Sequence, residues 1–219
     1  MRETIAFVYA HPDDETFLSG GLIRQLADQG NHPVLLLATY GDAGKKNGSY
    51  GHYSNAQLAE LRKSEMTEAA HILGINAVNY LGHEDGKLNA VHEGSFIDEV
   101  AAFLNEHKPS EVYTFPENGG NEHPDHIAIS YITTAAVLSG RCPSVKRLYY
   151  ADVQGMGDGE GSFRLDIEPY WKVKAKALQA HDSQIHAIHR FFGSLEVCPP
   201  ERKYESFRLR WTRPTIQDN

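Results

Sequence analysis

Cysteine is scarce in this chain. There are two, Cys142 and Cys198, far apart and in no CxxC pair, so no disulfide framework can be read. Basic charge is in deficit: 21 Lys and Arg stand against 29 Asp and Glu, a net charge of -8, which argues against a binder of nucleic acid or anionic membranes. No apolar run approaches the roughly 20 residues that span a bilayer. Met1-Arg2-Glu3-Thr4 leads straight into a strand-like segment, without a charged region followed by an apolar one, so no secretory signal is read. A cytoplasmic location with two free thiols is therefore expected. What remains is globular: 41% hydrophobic and 23% charged over 219 residues, suited to a single domain over 1–219. Histidine is plentiful, at 12 residues, and its spacing carries the rest of the reading.

Short apolar runs alternate with helical spacing along most of the chain. Ile5–Tyr9, Val34–Thr39, Ala77–Leu81, Glu111–Phe115 and Arg147–Val153 read as buried strands, and Phe207–Thr212 alternates as a half-buried one. Between them come a helix from Leu18 closed by Gly30, one capped by Ser54 or Asn55 and running to about Gly74, and a face of Phe96, Val100, Phe103 and Leu104. An apolar helix follows over Ile127–Leu138, then one helix carrying Trp171, Ala175, Leu178 and Ile185. The glycine-rich stretch Gly155–Gly161 reads as a loop. This order predicts an α/β fold, Rossmann-like, with an open, mostly parallel sheet and helices on both faces. In its commonest strand order the first and fourth strands are neighbours at the switch point, and ligands bind beyond their carboxyl ends.

Just after the first strand the sequence reads Ala10-His11-Pro12-Asp13-Asp14-Glu15, and just after the fourth, Glu122-His123-Pro124-Asp125-His126. Two His-Pro-Asp tripeptides thus fall where the topology puts a site. Imidazole nitrogen and carboxylate oxygen suit zinc and other divalent first-row ions, and a catalytic site keeps three protein ligands with one position open for water. A carboxylate beside it takes the proton. Either loop alone also reads as an acidic helix start. Chemistry by itself leaves open which of Asp13 and Asp14 is ligand and which is base.

At these residues the chain resembles the PIG-L/LmbE-like family of metal-dependent N-deacetylases, through AHPDDE at 10–15 and HPDH at 123–126. The resemblance implies a Rossmann-like fold and removal of the acetyl group from N-acetylglucosamine-type sugars. It implies His11, Asp14 and His126 as ligands of a divalent metal, most simply Zn2+. Asp13 would be the general base and His123 a protonated group near the oxyanion, with Asp125 beside it to orient His123. Arg62, in an Arg-x-x-Glu helix segment with Glu65, and Asp85, in Leu81-Gly82-His83-Glu84-Asp85-Gly86, would hold the sugar. A buried Arg62–Glu65 pair and a plain Asp-Gly turn are the structural alternatives. His181 matches a late family segment, as a residue behind the site or as a core histidine. Asn121 stands where some members carry a catalytic aromatic, and Tyr50 or Tyr53 is the substitute on offer.

The expected partner is a small amino-sugar conjugate, with no nucleic acid and no membrane, and a homo-oligomer stays open. Rival readings are an amidase acting on a related glucosaminide amide, a phosphoester hydrolase, and a noncatalytic metal- or sugar-binding module. A nucleotide-dependent oxidoreductase is disfavoured because AHPDDE replaces the glycine fingerprint after the first strand.

Overall fold

A computed structural model describes residues 2–46, 48–152 and 159–214. In chain order the elements are β1 Thr4–Tyr9, α1 Asp14–Asp28, β2 His32–Thr39, α2 Asn55–Leu73, β3 Ala77–His83, α3 Glu93–His107 and β4 Glu111–Thr114. Then follow α4 Pro124–Leu138, β5 Arg147–Ala151, β6 Phe163–Asp166, α5 Trp171–Ala180, α6 Ile185–Phe192 and β7 Tyr204–Thr212. Seven strands join one sheet in the order β3-β2-β1-β4-β5-β7-β6. The first five are parallel; β7 runs antiparallel to β5, and β6 antiparallel to β7. This is the Rossmann-like α/β sheet expected, extended by an antiparallel edge.

Every residue from Ile5 to Ala10 is buried, as befits a central parallel strand covered on both faces. The chain steps from β1 through α1 to β2 and through α2 to β3, then returns through α3 to β4, on the far side of β1. Right-handed crossovers in opposite directions put α1 and α2 on one face of the sheet, α3 and α4 on the other. Their divergence opens a crevice at the carboxyl ends of β1 and β4, whose register pairs Ile5 with Glu111 and Phe7 with Tyr113.

A buried ion pair ties the antiparallel edge to α1. Glu205 of β7 accepts the Gly21 and Leu22 N–H groups, each at 2.8 Å, and the Lys174 ammonium at 2.7 Å; Lys174 also donates to the Phe17 carbonyl at 2.9 Å. Gly21 is needed for this approach, because a Cβ there would stand 2.5 Å from Ile167 Cγ2.

Three details differ from the sequence reading. The helix expected to carry Trp171 through Ile185 breaks at His181, where a 3-10 turn over Asp182–Gln184 intervenes. Glu65 of α2 holds that turn by accepting the Ser183 N–H (2.6 Å) and hydroxyl (2.7 Å). The short β6 had no sequence signal. On α2 the buried stripe runs through Leu58, Arg62, Glu65, Met66 and Ala69, with Leu61 and Ile72 only half-buried. Arg62 therefore lies within the stripe rather than beside it. Most of the glycine-rich loop at 155–161 lies outside the described residues. Both cysteines are free, and among the described residues no helix is long and apolar enough to cross a membrane.

Candidate active site

Two loops meet in the crevice. His11 and Asp14 follow β1, and His126 lies in the first turn of α4, where Pro124 begins the helix and the His123 ring caps it. All three are buried, at 7–8% exposure. His11 Nδ1 lies 3.4 Å from Asp14 Oδ2 and 3.3 Å from His126 Nε2, and His126 Nε2 lies 3.5 Å from Asp14 Oδ1.

Hydrogen bonds on the outer sides of the rings set their tautomers. His126 Nδ1 faces the Gly119 carbonyl at 3.2 Å, so Nδ1 carries the proton. His11 Nε2 faces Asp85 Oδ1 at 3.0 Å and Asp125 Oδ2 at 3.3 Å, so Nε2 carries its proton. In the neutral rings two bare nitrogens and a carboxylate then face one another. With both rings neutral no proton lies between the nitrogens, and the arrangement calls for positive charge there, either an added proton on His11 or a metal ion. The spacing fits one: four-coordinate zinc with bonds of about 2.0–2.1 Å holds its donors about 3.3 Å apart. Outer acceptors on metal-bound imidazoles are the usual support for such a centre.

Electrostatics agree. Burial works against a charged His11, yet Asp125, Asp14 and Asp85 outweigh it and raise its pKa well above the ordinary value. The same carboxylates favour positive charge at this point whether it is a proton or a metal ion. Burial would raise the Asp14 carboxyl, but His126 and His11 pull it far below the usual range. Burial lowers His126, and Asp14 only partly opposes this.

Other trios of donors come close. One ligand atom each of His11, His123 and His126 falls within 4.8 Å of the others, as does one each of His11, Asp85 and Asp125. The second trio would use the proton-bearing nitrogen of His11, and its Asp125 oxygens already accept the Gly86 (2.7 Å) and Leu88 (3.0 Å) N–H groups. In the first, His123 Nδ1 accepts the Asp125 N–H at 3.2 Å, which leaves Nε2 as a donor rather than a ligand. His11, Asp14 and His126 together turn two nitrogens and a carboxylate toward one point, at separations of 3.3–3.5 Å.

Asp13 sits at φ 122°, ψ -30°, a backbone conformation that costs a non-glycine residue about 1–3 kcal/mol. Its surroundings enforce this. Arg62 donates to Asp13 Oδ2 at 2.9 Å, to the Gly41 carbonyl at 2.8 Å and to the Pro12 carbonyl, while Glu15 accepts the Asp13 N–H at 3.1 Å. Burial pushes the Asp13 carboxyl up to about 6; Arg62 pulls against this, and Asp14 adds to it. A carboxyl so placed, open to the cavity beside a metal-type donor set, can exchange a proton near neutral pH.

Arg62 and Glu65 do not pair with each other, so that alternative is corrected: Arg62 holds the Asp13 loop and Glu65 holds the Ser183 turn. Asp85 is more than a turn residue, since its oxygens meet His11 and the Ala43 N–H (2.7 Å). Contacts with His11 keep both Asp85 and Asp125 below the ordinary carboxylate range despite their burial. The Asp125 carboxylate orients His11, not His123 as expected; its helix position turns it toward the 86–88 loop. Tyr50 donates to Asp182 and neither it nor Tyr53 lines the cavity, whereas Asn121 does.

Glu15 does more than place an acid at the start of a helix. It is fully buried, anchors Asp13, and contacts the Thr16 hydroxyl and His181 Nε2 (3.2 Å). The fully buried His181 thus braces the Asp13 loop through Glu15.

The crevice is a cavity of about 420 Å³, within the range of small-molecule sites. His11, Asp13, Asp14, Arg62, Asp85, His123 and His126 all line it, and Phe17, Leu18 and Phe191 form an apolar side.

The sequence profile of the PIG-L family, described as GlcNAc-PI de-N-acetylase, matches residues 6–137. A 1D-myo-inositol 2-acetamido-2-deoxy-alpha-D-glucopyranoside deacetylase from Saccharomonospora viridis is 30% identical, covering 82% of this chain and 84% of its own. A probable N-acetyl-alpha-D-glucosaminyl L-malate deacetylase 2 from Bacillus cereus is 31% identical over 86% of each. Among solved structures, the 4-carboxy-2-hydroxymuconate hydratase GalB of Pseudomonas putida superposes over the whole of both chains with a TM-score of 0.74 at 20% identity, a likeness of fold alone. The fold thus carries more than one chemistry, and it is the sequence match through both His-Pro-Asp loops that places this chain in the PIG-L (GlcNAc-PI de-N-acetylase) family.

Proposed function

We propose that this chain is a metal-dependent hydrolase that removes the acetyl group from an N-acetylglucosamine-type conjugate and releases acetate and a free amine. Deacetylation of such conjugates follows from its family and from relatives acting on two of them. The observation that carries the metal assignment is the pair of bare imidazole nitrogens, 3.3 Å apart, with Asp14 against both. His11, Asp14 and His126 would hold the ion, and their N₂O donor set favours Zn2+.

When bound, the cation supplies Lewis acidity and makes water a nucleophile near neutral pH. Asp13 takes the proton of the attacking water as it adds to the amide carbon. His123 donates a hydrogen bond from its Nε2–H to the oxyanion, where a fixed donor in a water-poor site acts most strongly. Asp13, carrying the proton taken from water, then protonates the departing amine. Arg62 holds Asp13 in register, and together with Asp85 it borders the sugar.

The test is acetate release from N-acetylglucosaminyl conjugates by enzyme of measured metal content, run beside a phosphomonoester. Acetate but no phosphate is expected, with activity removed by chelation and restored by Zn2+. His11→Ala and His126→Ala should lose metal and activity together. Full deacetylation by a metal-free preparation would sink the proposal.

A further inference from the structure

His11 Nε2 donates to two carboxylates, and each of them also holds a stretch of chain. Asp125 accepts it at 3.3 Å and anchors the 86–88 loop. Asp85 accepts it on Oδ1 at 3.0 Å, while its other oxygen, Oδ2, accepts the Ala43 N–H at 2.7 Å. The Asp85 carboxylate therefore spans from the donor set to a wall of the cavity, which Ala43 and Gly44 line. Asp85 is itself 9% exposed and follows β3 in a turn closed by the Lys87 N–H on the Glu84 carbonyl, at 3.2 Å.

The segment at the far end of this carboxylate has no regular structure of its own, since residues 40–46 form neither helix nor strand. Gly41 stands at φ 67°, and a Cβ there would lie 2.5 Å from Arg62 Cζ, so the segment lies flat on the guanidinium that also holds Asp13. A tight turn, with the Gly44 N–H on the Gly41 carbonyl at 3.2 Å, then brings Ala43 to Asp85. Charge gives this tie its strength. Asp85 and Asp125 accept from one imidazole, and two buried carboxylates so close need donors of their own. Asp125 has the Gly86 and Leu88 N–H groups. Among the described residues, the donors of Asp85 are His11 and Ala43. A hydrogen bond to an ionised carboxylate is roughly twice as strong as one between neutral groups.

We propose that Asp85 is a positioning residue: it bridges His11 to the 41–44 segment, so that the donor set and this wall of the cavity hold one another in place. This rests on the reading of His11, Asp14 and His126 as the ligands of a metal ion. An imidazole whose outer N–H is held by a carboxylate is a more basic and better aimed ligand. Coupling of this kind is reciprocal, so loss of the bridge shows at both ends. Contact with the sugar alone, the role the resemblance implies for Asp85, requires neither tie.

The test uses the whole protein without sugar and reads both ends of the bridge. Chelator competition gives the zinc affinity, and hydrogen exchange of a peptide over 41–46, at saturating zinc, gives the order of the wall. In Asp85→Ala, zinc affinity should fall about tenfold, the low end for loss of an outer acceptor because Asp125 remains. Exchange over 41–46 should quicken about tenfold, with exchange in β1 and β2 unchanged. Asp85→Asn has the same shape but offers one oxygen to two N–H donors, so it must lose one tie, and it decides the outcome if Asp85→Ala does not fold. Either change without the other in Asp85→Ala, or neither change in Asp85→Asn, overturns the bridge. A wild type that binds no zinc sinks the metal assignment, and the bridge with it. Acetate release plays no part in these readouts, so failure of the deacetylase reading would leave the result standing.

Discussion

Asp13 and Asp14 are adjacent carboxylates with opposite environments. Asp14 faces two imidazoles, whereas Asp13 meets one guanidinium, is more buried from water than from charge, and is pushed up to about 6. A base must be ionised to act, so activity falls as pH drops through the Asp13 value. A cation at the neighbouring donors favours the carboxylate and lowers that value. The acid limb of kcat/KM in zinc-loaded enzyme is therefore predicted at or below pH 6, and a limb well above 6 would contradict the base assignment. Asp13→Ala should lower kcat by about 10²–10⁴-fold or more while metal content stays intact. Asp125→Ala should act differently. It removes the acceptor behind His11 Nε2 and the anchor of the 86–88 loop, so zinc affinity should fall about 10–100-fold. A chelator-competition titration reads that loss directly.

At the scale of elements, the site depends on where α1 begins and what holds it. Its first turn carries Asp14 and Glu15, and its middle is clamped to β7 by Glu205 and to α5 by Lys174. Removing one partner of a buried ion pair strands the other, at about 3–5 kcal/mol. Glu205→Ala should therefore lower the melting temperature by roughly 10 °C, at about 2–4 °C per kcal/mol for a chain of this size. The loss should exceed that from removing the exposed Lys63–Glu60 pair on α2, which should barely register. Element by element, the parallel half was legible because its strands are continuous apolar runs and its helices carry clear caps, such as Ser54 with Gln57 and Gly74 at φ 82°. The break at His181 was not legible. Trp171, Leu178 and Ile185 keep helical spacing across it, and the turn is stabilised by Glu65, 118 residues before Ser183. β6 escaped for a related reason: its four residues are defined by pairing with β7, not by their own pattern.

For the whole molecule, a buried cluster of two imidazoles and a carboxylate that favours positive charge links cation binding to stability. Zinc that binds the folded chain and not the unfolded one should stabilise it by about 2.7 kcal/mol at a free concentration one hundred times its dissociation constant. A calorimetric scan should show the apoenzyme melting below the zinc-loaded form, and His126→Ala should abolish the difference. The sequence by itself determined the strand order's class, because apolar periodicity and short connections leave few topologies. It also put the two His-Pro-Asp loops together, because they follow the two strands that meet at the switch point. Tertiary structure decided the partners. Only packing across the crevice gives His11 Nε2 to Asp85 and Asp125, and His126 Nδ1 to Gly119, and so turns the opposite nitrogens toward one point. Only packing sets Arg62 on the Asp13 loop and Phe191 on the cavity wall. Periodicity reports which face of an element is buried. It carries no term for contacts between residues more than a hundred positions apart, such as His11 and His126, and those contacts fix charge, tautomer and orientation at this site.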